Sequence, residues 1–328
     1  MLLWLGGLAA CAPGTHDQAP EAVLGASPLD PEVQPLPSGW AGRVLFTEER
    51  SQPYFRVWSL DLEHGSMELA FTVEPGGFLF DFAQAADGTL ALAYVAPARE
   101  GPTDYTTASL FLSHHAGAPT PWIEAEAGEV LSEPCWTPDG QWLYFTRGRT
   151  DGSVPLTLER VRKGADVPEF VAHGRSPAIS ADGSQLAFVH VNPATGDTQL
   201  RIHRLRSMEP RASFDSEGFH DLGNPTFGPD GRQLYFSALR GADAKHGGSH
   251  GEFVDWYRVP VEGGVPTLFA EAERVYAGAL APEGAGLVYS TGEGLVLAPM
   301  SGAPPELLVK SRAIRALGSG APPSPNAR

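Results

Sequence analysis

Two histidines, His246 and His250, flank a Gly-Gly-Ser run, and Asp243, Glu252 and Asp255 lie close by in the same stretch. Imidazole nitrogens beside carboxylate oxygens are the donors that a zinc ion takes. In the helical zinc motif, however, a glutamate follows the first histidine and both rings share one helix face. Here Gly247-Gly248 follows His246, which removes the glutamate and disfavours a helix. The run therefore reads as a solvated loop, and neither a metal nor a cofactor is expected. His114-His115 reads as a pair of exposed residues at a strand end. Cys135 has no base nearby in sequence and reads as a small buried hydrophobe on an inner strand. Asp81, Glu133, Arg175, Asp221 and Asn224 fall near matching points of a repeat, alike in polarity but different in type. General acid-base work needs a few ionisable groups of matched protonation in one pocket. This set does not spell such a group, so no catalytic residue is assigned.

The elements that would position these residues are hairpins. Glu133 to Phe145 reads E-P-C-W-T-P-D-G-Q-W-L-Y-F. Pro138-Asp139-Gly140 suits a tight turn, and Leu143 and Phe145 alternate with Trp142 and Tyr144 after it, as in a sheet covered on both faces. Related turns stand at Asp87-Gly88, Asp182-Gly183, Asp230-Gly231 and Glu283-Gly284, so the acidic residue recurs at intervals of 52, 43, 48 and 53. A carboxylate repeated in every unit is explained by its own turn, whose backbone N–H groups it can accept. Two further strand-like segments follow each turn, ending for example in Val167–Val171 and Pro266–Phe269. Four strands in a unit of roughly 50 residues is the mark of a β-propeller. The expected fold is all-β, a six-bladed propeller with four antiparallel strands per blade. Its first blade lacks a first strand, which Ala313–Leu317 is expected to supply beside Arg43–Thr47.

The units beginning at Pro134, Pro177 and Pro225 resemble the WD40-like repeats of the TolB propeller family. The resemblance covers about Gly42 to Leu317. The first and last units depart from the pattern, with Asp81-Phe82 and Gly278-Ala279 where the proline and its neighbour would stand. The family implies the fold, and places the connections between second and third strands on one rim, opposite the Asp-Gly turns. Two of those connections are long, Pro97–Thr107 and Leu239–Phe253. Long loops on a rigid scaffold are common seats of binding. Arg99, Tyr105, Arg240, His246 and Phe253 are the candidate partner-binding residues, Arg and aromatic side chains being the commonest interface anchors.

The formal charge of −16 excludes nonspecific nucleic-acid binding, which is driven by neutralising phosphates. Met1 to Ala10 is apolar and too short to span a bilayer. Leu8-Ala9-Ala10-Cys11 resembles a bacterial lipobox, which implies cleavage and lipidation at Cys11; Ala12, where an aspartate would retain the protein, resembles lipoproteins of the outer membrane. The expected layout is a lipoprotein signal over 1–11, a flexible tether over 12–41, the propeller over 42–317 and a disordered tail over 318–328. Two functions are open. The first is a noncatalytic, monomeric, lipid-anchored scaffold of the cell envelope, facing the periplasm, that binds a protein partner. The second is an extracytoplasmic enzyme, or a carbohydrate or small-ligand binder, with its site at the central channel.

Overall fold

A computed structural model describes residues 31–36, 43–49, 55–73, 77–114, 117–215, 218–240, 255–270, 278–280, 286–291, 293–301, 303–311 and 314–318. Every element among them is a strand. In chain order they are β1 (Glu32–Val33), β2 (Arg43–Glu49), β3 (Phe55–Asp61), β4 (Ser66–Thr72), β5 (Phe78–Gln84), β6 (Leu90–Val95), β7 (Ser109–Ser113) and β8 (Thr120–Ile123). Then come β9 (Glu129–Trp136), β10 (Trp142–Arg149), β11 (Thr157–Arg162), β12 (Glu169–Ile179), β13 (Gln185–Val191), β14 (Thr198–Arg204), β15 (Pro210–Asp215) and β16 (Phe219–Phe227). The chain continues through β17 (Gln233–Arg240), β18 (Asp255–Pro260), β19 (Thr267–Ala270), β20 (Gly278–Leu280), β21 (Gly286–Ser290), β22 (Gly294–Pro299), β23 (Glu306–Lys310) and β24 (Ile314–Gly318).

These strands form antiparallel sheets in the orders β24-β2-β3-β4, β5-β6-β7-β8, β9 through β15, β16-β17-β18-β19, and β20-β21-β22-β23-β1. The inner strands β24, β5, β9, β12, β16 and β20 contact one another in that order and return to β24. The grouping is consistent with six blades. The long sheet is two blades fused through β12, whose Glu169–His173 half pairs with β11 and whose Gly174–Ile179 half pairs with β13. Gly174 sits where the strand passes from one role to the other, at φ +151. A Cβ there would lie 2.4 Å from the Val189 carbonyl oxygen, so the crossing needs glycine.

Every side chain of β6 is buried, as is every one of β21, because both faces of a second strand meet a neighbouring blade. The core is accordingly a series of apolar layers between blades. Leu110, Ile123 and a row of alanines on β5 and β6 meet Leu131, Trp136, Leu143 and Phe145. Ile202, Phe214 and Val189 meet Phe227, Phe236 and Tyr257. Val44, Phe46 and Leu60 meet Val288, Leu297 and Leu308. That last layer is the seam between the two ends of the chain. β24 crosses it, pairing Leu45 with Gly318 and Phe46 with Leu317, as the sequence led one to expect of Ala313–Leu317.

Two stretches differ from expectation, and one is Gly318, assigned to the disordered tail but the last residue of β24 and paired with Leu45. Residues 31–36 fall within the segment assigned to a flexible tether, yet β1 adds to the outer edge of β23, pairing Glu32 with Lys310 and Val33 with Val309. Val33 and Leu36 pack on the seam cluster. The edge of a sheet offers unpaired N–H and C=O groups, and two aliphatic side chains suffice to hold a short strand on it.

Candidate functional site

Among the described residues, Asp-Gly turns follow β5, β9, β12 and β16. Asp87, Asp139, Asp182 and Asp230 each accept the N–H two residues on, at 2.9–3.1 Å. Thr137 and Ser180 add hydroxyl bonds to Asp139 and Asp182, and the Ser180 bond heads the causes that hold the Asp182 carboxyl below its usual range. The repeated carboxylates thus serve their turns. Asp87 also meets Lys163 of the next blade at 2.6 Å, and its carboxyl lies at about 2 although partial burial opposes the shift.

The polar residues singled out on the first strands sit in mid-strand and are at work there. Glu133, Ser176 and Asn224 each stand six residues before a turn aspartate and directly before a proline, and each has a positive φ, of 53, 54 and 46 respectively. The ladders slip at those points. Proline disfavours a helical conformation in the residue before it, so the bulge is paid for by side-chain bonds. The Glu133 carboxylate accepts the Thr146 hydroxyl at 2.7 Å within its own blade, and the Ser176 N–H and hydroxyl of the next blade, each at 2.7 Å. Arg175 continues the belt: its Nη2 donates to the Leu222 carbonyl at 2.7 Å, while its Nη1 lies 3.9 Å from Glu133. The Asn224 amide donates to Ser237 at 3.0 Å. Sequence reasoning found Glu133, Arg175 and Asn224 but missed Ser176 and Thr146. The legible signal was a polar residue before the repeated proline.

Asp81 holds the equivalent position one blade earlier without a following proline. Its carboxylate accepts the Phe82 N–H at 2.8 Å. Burial pushes its pKa up to about 8, with the negative charge of Glu133 adding to the shift despite that hydrogen bond. Cys135 is half-buried rather than sealed in the core; burial raises its thiol to about 12, and Asp81 adds to the rise although the Ile179 N–H opposes it. The thiol is accordingly protonated and unreactive at neutral pH. The side chain of Asp221 lies outside the described residues.

At the other end of the first strands stands the loop Pro97–Thr107. Asp104 accepts the Thr106 N–H at 2.9 Å and the hydroxyls of Thr106 and Thr107 at 2.6 and 2.7 Å; those hydroxyl bonds hold its carboxyl below the ordinary value. Thr107 also accepts the Gly128 N–H, and Ala108 bridges to Val130, which ties the loop to the next blade. Tyr105, between the pinned residues, is 51% exposed and rests edge-on against Phe78 at 6.5 Å. Arg99 is exposed. Arg240 is the last residue of β17, later than the expected start of the second loop at Leu239, and its backbone pairs with Phe219 at the start of β16. Its backbone therefore lies at the same end of the strands as Tyr105. His246, Phe253 and His250 lie outside the described residues, as does Cys11. Residues 247–251, G-G-S-H-G, spell a nucleophile-elbow pattern in letters and lie outside the described residues. Among the described residues no three His, Cys, Asp or Glu side chains are grouped to hold a metal ion. His114 is exposed and touches Thr89.

No protein-family model matches the chain, and no curated protein does. Solved structures do. TolB from Acinetobacter baumannii is similar with a TM-score of 0.63 at 14% identity, over 87% of this chain and 68% of that one. The fold is a β-propeller. A chain of the nidogen–laminin complex gives 0.62 at 12% identity over 84% and 98% of the two chains. A TolB-like protein from Agrobacterium tumefaciens gives 0.58 at 15% identity over 84% and 94%. At such identities the likeness extends to the fold alone.

Proposed function

We propose that this chain is a noncatalytic binding scaffold of a bacterial cell envelope. In this reading it is a six-bladed propeller, held to the membrane through acylated Cys11, that meets a protein partner with the face carrying Pro97–Thr107. The observation that carries the reading is Tyr105. A tyrosine half in solvent, with the hydroxyls on its C-terminal side locked to Asp104, offers a large contact area at little cost in ordering. Arg99 on the same loop adds a guanidinium. The belt of polar groups on the inner strands supports the same reading, because Glu133 and Arg175 are committed to neighbouring blades and Asn224 to Ser237 of its own blade. The likeness to a chain of the nidogen–laminin complex supports protein binding as a use of this fold.

A photo-cross-linking residue placed at Tyr105 in the full chain, expressed in a Gram-negative envelope, should give a discrete cross-linked product. The same residue at Asp139, on the opposite face, should not. Radiolabelled palmitate should enter the wild type and spare Cys11→Ser. Equal cross-linking at both positions would overturn the assignment of the face. The raised pKa of Asp81 favours a second reading, a small ligand in the channel that accepts a proton-bearing carboxyl as donor. Protection of Asp81 from carbodiimide labelling by an envelope metabolite extract would bring that reading forward.

A further inference from the structure

Among the described residues, β4, β8, β15 and β19 end their sheets as fourth strands, while β23 carries a fifth strand, β1, on its outer edge. The contact is small. It consists of the pairs Glu32–Lys310 and Val33–Val309, and the Gln34 N–H donating to the Leu308 carbonyl at 2.8 Å. It is also placed at a particular spot. β23 belongs to the last blade, but Leu36, two residues beyond Gln34, lies 3.8 Å from where a side chain would begin at Gly65, in the turn that joins β3 to β4 of the first blade. Val33 and Leu36 both pack on the cluster that includes Leu60 and Leu62 on one side of the seam and Val288, Leu297 and Leu308 on the other. Residues 31–36 therefore lie as a bolt across the joint between the two ends of the chain.

We propose that the outer edge of β23 is a strand-acceptor site, filled reversibly by the chain's own segment 31–36. The site takes an extended peptide with an aliphatic side chain at the Val33 position and another three residues on. Backbone groups of β23 supply the affinity and the seam cluster supplies the two sockets, which is the general logic of strand addition to a sheet edge. So few ladder bonds place the segment at the low-stability end of the molecule, where opening does not require unfolding of the ring. When the segment leaves, the Glu306–Lys310 edge is bare, and any tension on residues before 31 is relieved at the seam.

Hydrogen exchange on the full chain tests this first. In the wild type, residues 31–36 and those amides of 306–310 that face β1 should exchange together, about tenfold faster than residues 294–299 of β22. Exchange of 31–36 at the same rate as 294–299 would make β1 a permanent strand and overturn reversibility, whether or not any variant folds. Gln34→Pro removes the N–H that Leu308 accepts, and Gln34→Ala keeps it. In Gln34→Pro the 306–310 region should lose protection by about a further tenfold while 286–290 is unchanged. A fluorescent peptide of residues 29–38 should then bind Gln34→Pro and restore that protection, and bind the wild type and Gln34→Ala about tenfold more weakly because the site is occupied. Absence of peptide uptake by folded Gln34→Pro would overturn the acceptor site. A concentration-dependent dimer of Gln34→Pro with 306–310 protected would overturn the assignment to the chain's own segment in favour of a second copy.

Discussion

Replacing Glu133 by alanine should be among the most destabilising changes available on the inner strands. The carboxylate accepts three bonds at 2.7 Å, one from its own blade and two from the next, and holds a residue at φ 53 that precedes a proline. Bonds to a charged group are worth about 1.5–3 kcal/mol each. The Glu133 side chain keeps 26% of its exposure, which argues for the lower value. The Ser176 N–H also retains the Thr146 hydroxyl at 3.2 Å, which softens its loss. The expected cost of Glu133→Ala is therefore about 4 kcal/mol, or roughly 10 °C in Tm for a domain of this size. Glu133→Gln can still accept the Ser176 N–H through its oxygen and donate to the Ser176 hydroxyl through its nitrogen, and should cost about 1–2 kcal/mol. Urea denaturation of both variants, with Ser176→Ala and the double variant, gives the coupling across the blade boundary, expected at about 1–2 kcal/mol. A Glu133→Ala protein within about 1 kcal/mol of the wild type, or a coupling near zero, would refute the belt as a structural device.

Asp81 gives a pH prediction. A carboxyl that holds its proton more tightly when folded contributes stability below its unfolded value near 4, and loses that contribution as the pH climbs through about 8. Wild-type Tm should therefore fall between pH 5 and pH 9, and Asp81→Asn should flatten that fall, melting about 5 °C higher than wild type at pH 9 and close to it at pH 5. Identical profiles would remove Asp81 as the cause. Gly174→Ala should destabilise by about 3 kcal/mol or more in the same denaturation assay, because its Cβ would meet the Val189 carbonyl and its φ is closed to side chains. A neutral effect would mean that β12 can shift to admit a methyl group.

The repeat was legible because its turn chemistry is local. An Asp that caps its own turn and a Gly that takes the position after it can be read from four letters, and the alternation after Gly140 marks a strand buried on both faces. The seam was legible too, since a first blade without a first strand needs one from elsewhere. The belt was only half legible. Glu133 and Arg175 stand out by charge, but Ser176 receives its role from a left-handed backbone and from a strand in another blade, neither of which its own letter records. Cys135 was placed on the right strand and given too dry a neighbourhood, because the presence of Asp81 beside it depends on how two inner strands lie together. β1 escaped notice because two aliphatic residues among prolines look like a linker, and only the free edge of β23 makes them a strand.

The pairing of β24 with β2 also sets an order of events in time. Phe46 pairs with Leu317 across some 270 positions, so the first blade cannot be finished until β24 has been made. Through most of synthesis β2 presents an open edge to whatever else is near, and other inner strands of the same chain are the closest candidates for a wrong pairing. A ribosome-bound or unfolded chain is thus exposed to error for as long as β24 is missing. Delay helps such a chain: if folding waits until the whole length is free, as it does when a polypeptide is threaded through a membrane before it folds, both ends reach the joint together.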